Sequence, residues 1–544
     1  MHYAGYLRQR YAAVLSYIGG SLIVVAALFL LPLLVAPFYP AESRWIPAFI
    51  GSALPMGLLG FVLWRIPHSR QASHTISVPE GAVVVVLVWL LVIAFGAIPF
   101  VATMRLRPHL ALFESVSGFT TTGLSVIEPE RAPRTLLFFR SLAQLIGGAG
   151  FALIVLSSII PGPAGGGLLA AEGRSSRFVP NIRGSANIVL RIYLVYTVTG
   201  AVALRLAGMG WFDAVNHAFA SISTGGFSTR TASIGHWNSA AIEAVVAVLM
   251  FLGSFNFMTA YALYRGRFRI VARNGELRFG LALLAVAFLV VLAGVGLSVH
   301  AHVGEGLRAS MFEVISALAS TGFASTNMLR WPDLGWLVIV GLMLISGGAE
   351  STAGGIKQFR IYVLLRSVAW EIRQVFQPRH AVNEPEIWRA EGREYLSPAQ
   401  VREVGLYVFL YLAVLFVGSG VVVAHGHTLR DSVFEFSSAL GTVGLTSGIT
   451  TPDAPPSLLL TLIAGMFLGR LEALTIVVGL TKLLSDVPAL AASRVPPDTE
   501  RPARSGRDEM ASGDAEQVAS LATGALQRLA PTPVDSAPYD DDNA

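Results

Sequence analysis

The sequence contains no cysteine. That excludes a disulfide framework, a thiol nucleophile and any cysteine-ligated metal. Charge is scarce as well: 13% of the 544 residues are Asp, Glu, Lys or Arg, about half the ~25% of an ordinary soluble domain. With 53% apolar residues and a mean hydropathy of +0.61, the chain has too little polar surface to cover a water-soluble core. A cytosolic enzyme, a disordered protein and a nucleic-acid binder are excluded. The pI near 9.5 is no nucleic-acid signature, because the net charge is only +5 and the basic residues sit in short loops between apolar runs. The first apolar run is too long for a cleavable signal, and no small-residue cleavage site follows it.

What the chain has in quantity is apolar runs of about 20 residues, the length that spans a bilayer as a helix. Ten can be read, at 15–37, 46–64, 80–104, 134–160, 186–208, 238–264, 278–300, 334–370, 402–425 and 456–485. The eighth and tenth exceed one crossing and are expected to be broken, tilted or extended. Arg174, Arg177, Arg183 and Arg191 follow the fourth run, Arg265, Arg267, Arg269, Arg273 and Arg278 the sixth, and Arg360, Arg366, Arg373 and Arg379 the eighth. Both lysines, Lys357 and Lys482, fall at the same ends. Basic loops mark the cytoplasmic side, so both termini are expected in the cytoplasm. From about residue 488 Pro, Ser, Ala and Asp dominate. The segment 488–544 reads as a solvated, largely disordered cytoplasmic tail with one short helix near 514–529.

The outer loops repeat. Phe113-Glu114-Ser115-Val116-Ser117-Gly118-Phe119-Thr120-Thr121-Thr122-Gly123-Leu124 lies between the third and fourth runs. Its counterparts end in Ser320-Thr321-Gly322-Phe323 and Thr442-Val443-Gly444-Leu445, and a diverged copy ends in Thr224-Gly225-Gly226-Phe227. In each, Gly123, Gly226, Gly322 or Gly444 precedes Leu or Phe, and nine residues earlier stands Glu114, His217, Glu313 or Glu435. The glycines are 103, 96 and 122 residues apart. Internal repetition outranks local propensity as fold evidence. The expected architecture is an all-α integral membrane protein: four span–pore-helix–span units (76–175, 176–272, 273–385 and 386–487) around one pore, preceded by two transmembrane helices in 1–75.

Irregular backbone at membrane depth is tolerated where it is buried in protein or lines a water-filled cavity. Four such segments imply one axial pore. Gly opens backbone conformations closed to other residues and leaves the axis clear. Carbonyl oxygens can then replace the hydration shell of a monovalent cation, and each short helix would aim its negative C-terminal end at the ion. The cation-binding residues read this way are Thr121, Thr122, Gly123, Thr224, Gly225, Gly226, Ser320, Thr321, Gly322, Thr442, Val443 and Gly444, acting mainly through carbonyls. Hydroxyls of Thr121, Thr122, Thr224, Thr321 and Thr442 are expected to brace the loops from behind. The glutamates are expected to hold backbone groups rather than the ion.

Two features fall below these loops. Residues 346–355 place Gly347, Gly348, Gly354 and Gly355 inside an apolar run, a break that implies a cavity or a kink. Arg470 lies mid-way along the last run, where a charge is expensive and faces the interior or water. Arg470 and Glu472 are two residues apart, so on one helix they would face different sides. Arg140 reads as a structural tie to a neighbouring carbonyl or carboxylate.

Several of these stretches match a known family. The Ser-Thr-Gly-Gly-Phe-Ser core within His217–Ser239, followed by Ala232-Ser233-Ile234-Gly235, resembles the second filter of TrkH-type potassium uptake proteins of the Trk/Ktr/HKT superfamily. Arg140-Ser141-Leu142 with Gly147-Gly148-Ala149-Gly150 resembles the helix after that family's first filter. Gly347 to Lys357 resembles its intramembrane loop, and Gly469-Arg470-Leu471-Glu472 its last helix. The likeness covers about residues 3–487. It implies potassium as the transported ion, a homodimer with one pore per protomer in a bacterial cytoplasmic membrane among membrane lipid, and a cytosolic nucleotide-binding regulatory ring of TrkA type. It also implies a gate formed by Arg470 with Gly347, Gly348, Glu350, Gly354, Gly355 and Lys357. Glu350 departs from the pattern, which often has Gly there. No nucleotide is expected on this chain, which has no G-x-G-x-x-G and no Walker A motif; Ile356 stands where the Walker Gly would precede Lys357. Nor is nucleic acid expected.

Two other readings stand beside this one. A sodium-conducting or Ktr-like member is disfavoured by four unbroken filter glycines, since Ser at the first goes with sodium preference in plant relatives. An integral-membrane enzyme would need clustered catalytic groups, and the runs hold no His-x-x-x-His, Asp pair or Cys; His300 and His302 sit by a loop.

Overall fold

The structure, a computed structural model, describes residues 3–66, 76–148, 182–299, 302–378, 385–389 and 392–492. Ala149, Gly150, Arg174, Arg177, Arg379, His300 and the expected tail helix lie outside the described residues. The chain divides after Leu490 into two units, Met1–Leu490 and Ala491–Ala544, and the description below concerns the first.

Two helices, α1 (Tyr3–Leu28) and α2 (Ile46–Trp64), precede the repeats. The first unit then runs α3 (Val78–Met104), a short α4 (Pro108–Phe119) and α5 (Arg134–Gly148). The second runs α6 (Ile182–Leu206), α7 (Trp211–Ile222), α8 (Ala240–Gly253) and α9 (Phe257–Tyr264). The third has α10 (Gly275–Val291), α11 (Val303–Leu318), α12 (Asp333–Ile345) and α13 (Gln358–Val375). The fourth has α14 (Pro398–Ala424), α15 (Leu429–Leu440), α16 (Pro456–Leu471) and α17 (Ala473–Ala492).

Local chemistry sets these starts. Ser77 and Glu80 form a capping box at α3, and Ser397 and Gln400 form another at α14, satisfying amides that have no partner inside the helix. Pro108, Pro398 and Pro456 occupy first helical positions, where no amide is needed. Among the described residues, six helices are long and apolar enough to cross a bilayer, and two bent pairs pass that test jointly. Leu206, Phe409 and Phe416 are 83%, 69% and 82% exposed; such surfaces suit hydrocarbon, not water.

Three breaks interrupt the long runs. The eighth separates into α12 and α13 around residues 346–357. The tenth bends by 96° between α16 and α17, where Glu472 adopts φ +57°. Arg470 and Glu472 are therefore not on one helix, as the spacing argument supposed: Glu472 lies outside α16 and pairs with Arg360 at 2.8 Å. The sixth run, read as continuous, bends by 115° between α8 and α9. There Asn256 caps α9 by accepting from the Met258 amide. A two-stranded hairpin, β1 (Glu386–Arg389) and β2 (Gly392–Tyr395), was not expected from the sequence. It seats Ile387 and Leu396 on Val363 of α13.

Candidate functional site

The four short helices α4, α7, α11 and α15 end buried, and all end alike. Beyond each, the amide three residues before the repeat glycine bonds back as the helix closes. The next two amides form the 5→2 and 6→1 bonds of a Schellman turn. The 6→1 bond runs from Thr122 to Ser117 (2.9 Å), Gly225 to Ala220 (2.7 Å), Thr321 to Ser316 (2.9 Å) and Val443 to Ser438 (2.8 Å). The left-handed residue of that turn is commonly Gly. Here it is Thr121, Thr224, Ser320 or Thr442, at φ +56°, +51°, +52° and +49°. A non-Gly residue there costs ~1–2 kcal/mol, and such conformations persist where surrounding structure over-determines them.

The repeat glycines follow at φ +91°, +75°, +79° and +97°, and each abuts the neighbouring unit. A Cβ on Gly123 would lie 2.3 Å from the Gly225 carbonyl oxygen, and one on Gly226 1.9 Å from that of Thr321. One on Gly322 would lie 1.9 Å from that of Val443, and one on Gly444 2.2 Å from that of Thr122. The contacts run from unit one to two, two to three, three to four and four back to one. Four loops from distant parts of the chain thus close a ring whose members fit only as glycine. All four glycines line one cavity of about 620 Å³.

The residues nine before the ring glycines hold the loops from behind. Glu114 accepts from the Val126 amide (2.6 Å) and Ser125 Oγ (2.7 Å). Glu313 accepts from the Ser325 and Thr326 amides at 2.7 and 3.2 Å. Glu435 accepts from the Ser447 and Thr450 amides at 2.7 and 3.2 Å and from three hydroxyls. His217 fills the same place. Its Nδ1 donates to the Asp213 carbonyl (2.8 Å), which leaves Nε2 of the neutral ring to accept from Ser228 Oγ (3.0 Å). A neutral imidazole with one acceptor nitrogen thus substitutes for a carboxylate. Arg140 lies 3.3 Å from Glu114 and donates to Ser125 Oγ at 2.7 Å. Removing Glu435 strands the buried amide and hydroxyl of Thr450, and a buried donor left unsatisfied costs ~1–3 kcal/mol. Glu435→Ala is expected to lower the thermal unfolding midpoint in detergent markedly, and Glu435→Gln, which keeps an acceptor, to do so less.

The threonine hydroxyls do not brace the loops as a set. Those of Thr121, Thr321 and Thr442 make no hydrogen bond among the described residues. Thr122 Oγ1 meets Thr120 Oγ1 at 2.8 Å, and Thr224 Oγ1 meets Thr352 Oγ1 at 3.0 Å. The Schellman amides carry the bracing instead.

Below the ring lies the segment 346–357. Ser346 Oγ bonds Ser320 Oγ, and the Gly348 amide donates to the Ser254 carbonyl at 2.9 Å. Gly347 packs on Ser254 and Ala353, and the space behind Gly355 is filled by Ser346. Thr352 Oγ1 donates to the Gly253 carbonyl at 2.9 Å. A Cβ on Gly354 would lie 2.6 Å from the Gly441 carbonyl oxygen. The segment therefore reaches from the second unit to the fourth beneath the ring. Arg470 clamps it to the first: the guanidinium donates to the Thr352 and Gly147 carbonyls, both at 2.5 Å. Lys357 Nζ bonds the Ala353 carbonyl. Glu350, Lys357, Gly354, Gly355 and Arg470 line a second cavity of about 380 Å³. Sequence reasoning missed Thr352, a hydroxyl among small residues with no signal of its own, and Gln144, whose amide meets the second loop.

Residues 58–487 match the TrkH family model, described as a cation transport protein. The chain is 30% identical to an uncharacterised cation transporter of Methanocaldococcus jannaschii, over 86% of this chain and 94% of that protein. It is 29% identical to the Trk system potassium uptake protein TrkH of Escherichia coli, over 86% and 98%. The crystal structure of the potassium transporter TrkH from Vibrio parahaemolyticus superposes with a TM-score of 0.74 at 27% identity, covering 87% of this chain and 98% of that one. A match across most of the chain, to a model and to full-length relatives alike, places this multi-pass membrane protein in the TrkH family of cation transport proteins.

Proposed function

We propose that the chain takes up potassium through a channel-like pore whose selectivity filter is the ring of Gly123, Gly226, Gly322 and Gly444. The observation that carries this reading is the closed cycle of glycine-to-carbonyl contacts. Carbonyls of Thr122, Gly225, Thr321 and Val443, with those of Thr121, Thr224, Ser320 and Thr442 and of the glycines, replace water around the ion. The pore helices direct their negative ends to the same point. The names of the relatives supply the ion.

Arg470 and the segment 346–357 act as the closed gate. A cation passing a fixed guanidinium at ~4 Å meets ~4 kcal/mol of repulsion at an effective dielectric of ~20. Gly347, Gly348, Gly354 and Gly355 let the segment rearrange, and Glu350 and Lys357 set the charge of the cavity it would move through. The resemblance further supports a homodimer in a bacterial cytoplasmic membrane, both termini inside, opened by a cytosolic nucleotide-binding ring of TrkA type. The arginine-rich segments 174–191, 265–278 and 360–379 are the basic segments offered to that ring, Arg360 excepted, since it pairs with Glu472. This chain transports potassium and binds no nucleotide itself.

The test is uptake of potassium into liposomes holding purified protein, beside growth of a potassium-uptake-deficient bacterium at low potassium. Potassium flux with rescue of growth supports the reading. Sodium flux without potassium flux, or chemical turnover without either, would overturn it.

A further inference from the structure

The ring is fourfold in its backbone but not in its side chains. Before the glycine stand Thr122, Thr321 and Val443 in three units, and Gly225 in the second. The space that a side chain on Gly225 would need is filled by Gln144: a Cβ there would lie 2.4 Å from its Cδ and 2.5 Å from its Oε1. Gln144 projects from α5 of the first unit and is fully buried. Its Nε2 donates to the Gly225 carbonyl oxygen at 2.5 Å, and its Oε1 accepts from the Phe227 amide at 3.1 Å. The two bonds straddle Gly226, the ring glycine. Among the described residues, the carbonyls of Thr122, Thr321 and Val443 accept no side-chain hydrogen bond. One turn earlier on α5, Arg140 lies over the Phe227 ring at 4.0 Å.

We infer that Gln144 is a positioning residue that sets the second ring carbonyl and, through it, the cation preference of the ring. The inference rests on the reading of the ring as the filter. A carbonyl oxygen has two lone pairs; one is taken by Gln144 and the other is left for the axis. The carboxamide grips residues 225–227 from both sides, so this strand of the ring cannot shift without breaking two buried bonds. A buried amide whose bonds are broken is costly, which makes the grip stiff. A β-branched residue fills the place before the glycine in the other three units, whereas in the second a side chain from the adjacent unit does so.

The experiment compares wild type with Gln144→Met and Gln144→Glu, each as purified full chain in liposomes, with potassium, rubidium and sodium fluxes measured over a range of concentrations. Met keeps the volume and removes both bonds. Glu keeps the acceptor and removes the donor. Both are expected to lower potassium-to-sodium preference at least fivefold and to raise the concentration of potassium giving half-maximal flux. A packing role alone would leave these ratios unmoved in the Met variant. If that variant does not elute as folded protein, the isosteric Glu variant decides. The inference is overturned if the folded variants keep both the ion ratios and the half-maximal concentration within twofold of a potassium-selective wild type. A wild type that carries no potassium overturns the filter reading itself, so the two failures are distinguishable.

Discussion

Arg470→Ala should raise potassium flux through purified, partner-free protein by about two to three orders of magnitude. The ~4 kcal/mol of repulsion at the guanidinium corresponds to about three decades of rate. The same substitution removes the two bonds that hold Thr352 and Gly147 together, so the segment 346–357 loses its tie to the first unit. Arg470→Lys keeps the charge but not the two-pronged donor, and should fall between wild type and Ala. Flux is read in liposomes, after size-exclusion chromatography shows the variant folded. A folded Arg470→Ala protein no more conductive than wild type would make Arg470 a structural clamp and move the gate elsewhere.

Substitution of any ring glycine should cost selectivity, whichever unit it comes from. In Gly123→Ser the new Cβ would lie 2.3 Å from the Gly225 oxygen, far inside the ~3.5 Å of ordinary contact. The φ of +91° adds backbone strain for any residue with a side chain. The carbonyl must move, and with it the size of the ring. Potassium-to-sodium permeability should fall at least tenfold in Gly123→Ser, with Gly226→Ser, Gly322→Ser and Gly444→Ser behaving as one class. Gly341→Ala is the control, since a Cβ there meets nothing within 4 Å. Permeability ratios of wild type in Gly123→Ser would detach the first loop from the filter.

The ring was legible in the sequence because it is written four times. A single Gly before Leu or Phe carries no message; four in register, each nine residues after a polar side chain, do. The anchoring role of Glu114, Glu313 and Glu435 was legible for the same reason, and His217 could be aligned with them although its chemistry differs. What repetition could not show was which groups do the bracing. Hydroxyls at Thr121, Thr321 and Thr442 were natural candidates, but backbone amides fold back on the helix ends and leave those hydroxyls unused. The bend after Gly253 was hidden because Ser254-Phe255-Asn256 contains neither Gly nor Pro and sits in an apolar run. The length of the tenth run announced a break, but not that the chain turns at Glu472 or that Glu472 pairs with Arg360. The contact of Gln144 with Gly225 joins residues 81 apart, a tertiary fact that no local pattern encodes, although the extra Gly in Ser-Thr-Gly-Gly-Phe marked one end of it.

If four loops of one chain build a single cation site on the axis, that site can be seen. Crystals grown with thallium in place of potassium would test it most directly, because anomalous scattering locates the ion without reference to any assumed chemistry. The expected result is a peak inside the ring, within coordination distance of the carbonyl oxygens of Thr122, Gly225, Thr321 and Val443. Thallium bound elsewhere in the protein, with the ring empty at saturating concentration, would contradict it.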